Sequence, residues 1–185
     1  MILPRFDLLL SALQAKPNDA HRTLAAFSLS SIRHASAPNS QFTLITQNVD
    51  NLSPRANQEI AALHLAKDED EPHLIEMHGK LFDLLCTYHK CKHVEFNTIS
   101  PICDALSGTE SLLERNVTDP DIDVKLLPRC SMCGRLARPG VVWFGEMPHH
   151  LDSINELVGK ADLCLVIGTS STVRPPHALC CPVSI

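Results

Sequence analysis

Two pairs of cysteines are the clearest chemical feature of the sequence, because both have the spacing of metal ligands. One pair is separated by two residues and followed by glycine, and the other is separated by four: Cys130 with Cys133, and Cys86 with Cys91. Two to four intervening residues let both thiolates reach one zinc ion, and the glycine permits a tight turn. Four thiolates leave a tetrahedral Zn²⁺ no open position, so we expect a structural site. His89 and His93 stay open as substitute ligands.

The other cysteines show no such pairing: Cys103, Cys164, Cys180 and Cys181. Cys164 lies in an apolar run, so we expect a small buried hydrophobic side chain there. The first residues lack the basic region and cleavage site of a secretory signal. We therefore expect an intracellular, reducing setting, in which paired cysteines more often bind metal than form disulfides.

Polar turns follow three predicted strands. Residues 42–46, 74–77 and 163–167 are short apolar runs of strand length. They are followed by residues 47–50, by His78 and Gly79, and by residues 168–171. Ligands of parallel sheets bind at the carboxyl ends of the strands, so we expect these turns to converge on one site.

Helical segments separate the strands, which predicts an α/β fold with an open parallel sheet. We expect one helix from about residue 20 to 32 capped by Asn18 or Asp19, one beginning at Ser53 and Pro54 with Ser53 as cap, and one over residues 152–160. From Cys86 to about Arg138, cysteines, prolines and polar residues replace the apolar pattern. This change predicts an inserted module held together by metal.

The composition narrows the classes of partner. Hydrophobic residues make up 44% of the chain, charged residues 20%, and the formal net charge is −5. An acidic balance disfavours direct nucleic-acid binding, which needs a basic face, and is compatible with a lysine-bearing peptide. No run reaches the roughly 18 apolar residues of a membrane span, so we expect no membrane contact. The oligomeric state stays unknown.

These motifs occur in the order found in sirtuins, which are NAD-dependent protein lysine deacylases. The sequence resembles that family from about residue 12 to residue 174. The matching segments are Thr46-Gln47-Asn48-Val49-Asp50, Met77-His78-Gly79, the two cysteine pairs, Val142-Trp143-Phe144-Gly145-Glu146 and Gly168-Thr169-Ser170. Residues 101–106 and 127–130 are similar to the class III branch, which removes acidic acyl groups such as succinyl and malonyl.

The resemblance implies a partial Rossmann-like parallel sheet with an inserted small zinc-binding module, and a cleft between them where NAD and acyl-lysine meet. It implies Rossmann-like parts over residues 1–82 and 141–185, and a zinc module over residues 83–140. The cofactors would be NAD and structural Zn²⁺, and the partner an acyl-lysine protein or peptide. The acidic-acyl branch is often mitochondrial, and cytoplasmic and nuclear locations stay open.

The resemblance also implies roles for single residues. His78 corresponds to the general base, which suits imidazole because it takes up a proton near neutral pH. In the family reaction the acyl oxygen attacks the nicotinamide ribose, nicotinamide leaves, the base activates a ribose hydroxyl, and the acyl group ends on ADP-ribose. The residues that would contact NAD are Gln47, Asn48, Asp50, Gly168, Thr169 and Ser170.

Residues 142–146 resemble the strand that pairs with the substrate backbone, a mode of recognition that accepts many peptide sequences. The substrate-binding residues implied are Val142, Phe144, Gly145 and Glu146. We expect Phe144 to line the acyl-lysine tunnel, and the alternative is that Trp143 and Phe144 are plain core.

The sequence also departs from the family. It lacks the Gly-Ala-Gly loop that cradles NAD phosphates, and it lacks the family's later strands with the Asn-x-Glu that holds the adenosine ribose. Arg5 and Leu8 stand where the acidic-acyl branch has its Tyr and Arg, and Ser53 stands where many sirtuins have His. We therefore expect an incomplete product or fragment, truncated at both ends, with little or no deacylase activity.

Two other functions stay open. One is a non-catalytic, zinc-containing binding or regulatory remnant of a sirtuin. The other is a zinc-ribbon nucleic-acid binder, which the acidic charge and the few Lys and Arg residues near the cysteines disfavour.

Overall fold

The computed structural model describes residues 7–64, 73–108 and 122–168. Within these ranges the helices are α1 Asp7–Gln14, α2 Asp19–Ser28, α3 Ser30–Ser36, α4 Leu52–His64 and α5 Leu151–Lys160. The strands are β1 Leu44–Thr46, β2 Leu74–Glu76, β3 Gly79–Cys86, β4 Val94–Phe96 and β5 Ala137–Val141. Two short 3₁₀ turns cover Asp104–Leu106 and Val124–Leu126. None of the described helices has the length and apolar character needed to cross a bilayer.

The parallel part of the predicted sheet is present as one pair of strands. β1 pairs with β2, and Leu44 lies opposite Leu74 and Thr46 opposite Glu76. Helices α2 and α4 pack on each other around Ala25, Leu29, Ala56 and Ile60. The mixture of helices and parallel strands confirms the α/β class, and the pairing places the ends of β1 and β2 side by side.

The strand predicted over residues 163–167 is wrong. Leu163, Leu165, Val166 and Ile167 are 64–75% exposed, and the segment has no strand structure. An apolar run becomes a strand only when its backbone pairs with a neighbour, and within the described ranges β1 and β2 pair only with each other. Cys164 is exposed as well, so the prediction that it is buried is also wrong.

A second, antiparallel sheet has the order β4-β3-β5. Its central strand β3 begins at Gly79, opposite Val141, and ends at Cys86, opposite Ala137. One strand therefore connects the turn that carries His78 to the first of the paired cysteines. The division into Rossmann-like parts and a zinc module at residues 82 and 140 stays a prediction.

The start of β3 requires glycine. Gly79 has a φ of +79°, and a Cβ there would collide with the carbonyl oxygen of Gly140 on β5. Gly140 is confined in the same way, since its own Cβ would lie 2.9 Å from the Cβ of Asp83. The backbones of β3 and β5 thus lie so close together here that only glycine fits at both positions.

The first predicted helix is two helices. Asn18 caps α2 by accepting a hydrogen bond from the His21 backbone N–H at 3.1 Å, which confirms that cap. The chain then becomes extended at Leu29, which is only 1% exposed. The buried guanidinium of Arg33 donates to the carbonyl oxygens of Phe27 at 3.2 Å and Ser28 at 2.6 Å. These bonds satisfy the last carbonyls of α2 and stabilise the break.

The other helices fall close to their predicted positions. α5 begins one residue before the predicted start and ends at Lys160 as expected. α4 begins at Leu52, so Ser53 lies inside its first turn and the prediction that it caps the helix is wrong. The carboxylate Oδ1 of Asp50 accepts the Leu52 N–H at 3.0 Å instead.

Candidate functional site

The turn after β1 is tied to the β2–β3 connection by consecutive hydrogen bonds. Three carbonyl oxygens of the turn accept from donors of the connection: Thr46 from the Met77 N–H at 3.0 Å, Gln47 from the His78 ring at 3.2 Å and Val49 from the Leu81 N–H at 3.0 Å. Val49 also packs against the core of Leu9, Ala12, Leu81 and Phe82. The expected convergence of these two turns is therefore present.

His78 is held on both sides. Its Nδ1 lies 3.2 Å from the carbonyl oxygen of Gln47, and its own carbonyl accepts the Val142 N–H at 2.8 Å. A carbonyl oxygen only accepts, so this bond requires the proton on Nδ1 and leaves the lone pair on Nε2. The geometry presents Nε2 as the atom that can take up a proton.

The residues beside His78 carry polar groups for a ligand. The side chains of Gln47 and Asn48 are exposed, and the Asn48 backbone N–H donates to the Thr46 hydroxyl at 3.1 Å. Asp50 accepts the Leu52 N–H at the start of α4 through Oδ1, which leaves Oδ2 available for a ligand. An amide and a carboxylate oxygen can bind a carboxamide or the hydroxyls of a sugar.

Of the third predicted turn, residues 168–171, the structure describes Gly168 alone. Gly168 has a φ of +69°, and a Cβ added there would meet no atom within 4 Å. Thr169 and Ser170 lie outside the described residues, as do Arg5, Cys180 and Cys181. Leu8 lies in α1, but its side chain is not described. The roles of Gly168, Thr169 and Ser170 stay predictions.

Residues 142–146 do not form the predicted strand, because β5 ends at Val141. They form a turn, in which the Glu146 N–H donates to the Trp143 carbonyl oxygen at 2.9 Å. Phe144 at its tip is 96% exposed, so the alternative that it belongs to the core is wrong. Contact of Val142, Phe144, Gly145 and Glu146 with substrate stays a prediction.

Sequence reasoning missed the role of Arg138. Its Nη2 donates to Glu146 Oε1 at 2.8 Å and its Nη1 to the Val141 carbonyl oxygen at 3.1 Å. The other carboxylate oxygen, Oε2 of Glu146, accepts the Trp143 N–H at 3.0 Å. An arginine eight residues before a glutamate gives no periodic signal, because the pair meets across the end of a strand and a turn.

Glu76 was missed as well. Its side chain, two residues before His78, is 9% exposed and lies 3.3 Å from the Lys80 ammonium. Burial raises the pKa of the Glu76 carboxyl, and the charge and hydrogen bond of Lys80 oppose this only in part. The negative charges of Asp83 and Asp50 raise it further. A carboxylate at the end of an apolar run was the signal available in the sequence.

The paired cysteines form one cluster. The sulfurs of Cys86, Cys91, Cys130 and Cys133 all lie within 4.8 Å of one another, with 3.4 Å between Cys86 and Cys133 and 3.8 Å between Cys91 and Cys130. Tetrahedral zinc with Zn–S bonds of about 2.3 Å requires sulfurs roughly 3.8 Å apart. The four sulfurs are therefore close enough to hold a zinc ion.

Histidine is not part of this cluster among the described residues. Nε2 of His93 lies 3.0 Å from the Ser131 hydroxyl, which also donates to Glu95 at 2.8 Å. These contacts tie the 130–133 turn to β4. The open alternative of a histidine ligand is thus not the arrangement that the structure describes.

The thiols of the cluster differ in acidity. Burial raises the pKa of Cys86 to about 12, and a hydrogen bond from the Tyr88 backbone offsets this only in part. Burial also opposes ionisation of Cys130, but hydrogen bonds from the backbone N–H groups of Cys133 and Met132 and from the thiols of Cys133 and Cys86 together outweigh it and lower that pKa to about 7. A metal would displace protons from these sulfurs on binding, so its affinity depends on pH.

Known proteins are similar to this chain over most of its length. The Sir2 family model matches residues 5–175. An NAD-dependent protein deacylase of Candida albicans is 37% identical over 90% of this chain and 59% of its own length. The mitochondrial NAD-dependent protein deacylase sirtuin-5 of Canis lupus familiaris is 43% identical over 71% of this chain and 39% of its own length. The chain thus spans about half the length of the curated relatives it matches.

Solved structures agree with the sequence relatives. A mutant Sir2 homologue in complex with ADP-ribose is 30% identical, with a TM-score of 0.61 over 92% of this chain and 51% of that one. A Sir2 homologue in complex with NAD is 32% identical, with a TM-score of 0.58 over 89% of this chain and 48% of that one. A family model that covers most of the sequence, relatives above 30% identity and neighbours with the same fold all agree, and the chain belongs to the Sir2 family.

Proposed function

We propose that the protein is by family an NAD-dependent protein lysine deacylase, which transfers an acyl group from lysine to ADP-ribose and releases nicotinamide. Measured turnover decides between that activity and the little or no activity expected from the sequence. The observation that carries the proposal is the orientation of His78 by the Gln47 carbonyl at 3.2 Å, in a chain of the Sir2 family. The names of the relatives and the NAD and ADP-ribose complexes of the structural neighbours support it.

The chemistry assigned to this chain is proton uptake by His78. After the acyl oxygen has attacked the nicotinamide ribose, a ribose hydroxyl must lose its proton to become a nucleophile. Nε2 accepts that proton, and the resulting imidazolium stays bonded through Nδ1–H to the Gln47 oxygen. The Asn48 amide and Asp50 Oδ2 bind the carboxamide and the ribose hydroxyls beside it.

The cysteine cluster supplies structure and no chemistry in this proposal. Cys86, Cys91, Cys130 and Cys133 would hold Zn²⁺ with all four positions filled, so the ion has no site for substrate. Cys86 ends β3, whose other end follows His78 directly. The metal would thereby fix the sheet from which the general base projects.

The substrate would be an acyl-lysine in an extended peptide. Relatives named as NAD-dependent protein deacylases support acyl-lysine as the substrate, and the mitochondrial label of the sirtuin-5 relatives supports the same compartment for this protein. The net charge of −5 suits a basic peptide and disfavours nucleic acid.

Calorimetric titration of the whole chain with NAD tests the binding half of the proposal. We expect heat from the unmodified protein and a loss of about tenfold in affinity for Asn48→Ala, the effect of removing one or two good hydrogen bonds. Asn155→Ala is the matched control, since Asn155 is an equally exposed asparagine on α5. Equal affinity of the two variants would contradict the assignment of Asn48.

A second candidate is a zinc-containing binding module without turnover. The cysteine cluster favours it, because a zinc ion held by four thiolates has no open position for a substrate. A folded, zinc-loaded protein that gives no heat with NAD would support this candidate over the enzyme.

A further inference from the structure

We propose that Arg138 and Glu146 are positioning residues that hold the turn Trp143-Phe144-Gly145 in the shape in which it meets the acyl-lysine peptide. The role in peptide binding rests on the proposed function. The clamp, meaning the Arg138–Glu146 pair and its hydrogen bonds to this turn, is a separate claim because it concerns the free protein.

The Glu146 carboxylate closes the turn with both of its oxygens. Oε2 accepts the Trp143 N–H at 3.0 Å, while the Glu146 backbone N–H donates to the Trp143 carbonyl at 2.9 Å. The two residues therefore satisfy each other's backbone groups around the bend. Glu146 is thus occupied within the turn, which argues that it shapes this turn rather than binding substrate directly.

Arg138 fixes this closed turn to the sheet. Its Nη2 donates to Glu146 Oε1 at 2.8 Å and its Nη1 to the Val141 carbonyl oxygen at 3.1 Å. Nη1 and Nη2 belong to one rigid guanidinium, and Arg138 itself lies in β5, so the turn is joined to the sheet. Charge-assisted bonds of this length are stronger than neutral ones, and the Arg138 side chain is only 22% exposed, which limits screening by water.

The N-terminal end of the turn is joined to His78, the candidate base, by a backbone hydrogen bond. The Val142 N–H donates to the His78 carbonyl oxygen at 2.8 Å. Between the two anchors, Phe144 is 96% exposed and Gly145 has a φ of +91°. Phe144 thus lies two residues after the backbone bond to His78 and two residues before Glu146, with its ring held away from the core, where it can contact a ligand.

The position of Trp143 makes the clamp measurable, because it is the single tryptophan of the chain. Its fluorescence reports on the turn alone. The decisive variant is Glu146→Ala, with Glu146→Gln as the conservative one, since glutamine keeps an acceptor for the Trp143 N–H but loses the charge that Arg138 binds. Glu59→Ala is the matched control: Glu59 also pairs with an arginine, Arg22 at 3.3 Å, and its side chain is 43% exposed against 44% for Glu146.

The free protein gives the first readout. We expect acrylamide to quench Trp143 about twofold more strongly in Glu146→Ala than in the unmodified chain, with Glu146→Gln in between and Glu59→Ala unchanged. An opened turn exposes the indole, and loss of a charge-assisted bond is enough to open it. Identical quenching in all four proteins would overturn the clamp.

The second readout is binding of an acetyl-lysine peptide and of NAD. We expect Glu146→Ala to weaken peptide binding about tenfold and to change NAD affinity less than twofold, a split that general destabilisation does not produce. Equal weakening of both ligands, or none, would overturn the positioning role. If the unmodified chain binds no peptide, the proposed function and the peptide role fail together, while the quenching result still decides the clamp.

Discussion

The Nδ1 of His78 lies 3.2 Å from the backbone carbonyl oxygen of Gln47, so the candidate base is oriented by the main chain of the neighbouring turn. A main-chain acceptor cannot be removed by a side-chain substitution at Gln47. Its position depends instead on the hydrogen bonds that tie the turn after β1 to the β2–β3 connection. The orientation of the His78 imidazole therefore depends on the same hydrogen bonds that join β1 and its turn to the β2–β3 connection.

Replacement of His78 separates chemistry from binding. We expect His78→Ala to reduce turnover by at least about a hundredfold, the usual contribution of a general base. NAD affinity should change little, because the side chain bonds only to Gln47 among the described residues. Deacylation rates and calorimetric titration measure the two effects, and the assignment fails if turnover persists in the variant or if NAD binding is lost together with turnover.

The site also depends on the glycine next to His78. We expect Gly79→Ala to lower the free energy of unfolding by about 2 kcal/mol or more, since a φ of +79° is strained for alanine and the new Cβ would collide with Gly140. Urea unfolding measures the loss. Gly159→Ala in α5 is the control: its Cβ would meet nothing within 4 Å, and it should stabilise the helix by roughly 0.5–1 kcal/mol. Equal stability of both variants would argue against the close approach of β3 and β5.

Zinc content should follow the cysteine cluster and pH. We expect about one zinc ion per chain, lost on Cys130→Ser and retained on Cys103→Ser, because Cys103 lies outside the cluster. Affinity should fall as pH falls, since protons compete for thiolates; the Cys86 pKa of about 12 means that zinc must displace a proton there even at neutral pH. Metal analysis after dialysis at a series of pH values measures this, and zinc that stays bound to Cys130→Ser would contradict the site.

Glu76 predicts a pH dependence of stability. Burial raises its pKa in the folded protein, so the folded state binds the proton more tightly than the unfolded state. Stability then falls as pH rises from the ordinary carboxyl range through the raised pKa. Glu76→Gln should remove this slope, so the stability of the variant relative to the unmodified protein should rise with pH across that window. Denaturant unfolding at several pH values tests this, and parallel curves for the two proteins would refute it.

Local patterns predicted the features that depend on few residues. The spacing of the cysteines predicted a cluster that the fold assembles, and short apolar runs before polar turns predicted β1, β2 and their adjacency. The cap at Asn18 and the extent of α5 followed from side-chain chemistry within one turn. Each of these features has a signal in a few neighbouring residues, even where the fold then joins segments that are far apart.

The failures share a different cause, which is dependence on specific contacts between elements or across a turn. The helix break at Leu29 rests on Arg33, which also donates to the Ser40 carbonyl oxygen. The turn at residues 143–146 rests on Arg138. The run at residues 163–167 has strand composition but no partner strand within the described ranges. Composition alone contains none of these contacts.

A single-turnover assay tests the proposed deacylation most directly. Protein in excess is incubated with NAD and an acetyl- or succinyl-lysine peptide, and nicotinamide and deacylated peptide are quantified by mass spectrometry. The account predicts equal amounts of the two products, none without NAD, and a strong reduction in His78→Ala. Deacylated peptide formed without NAD, or formed equally well by His78→Ala, would contradict it.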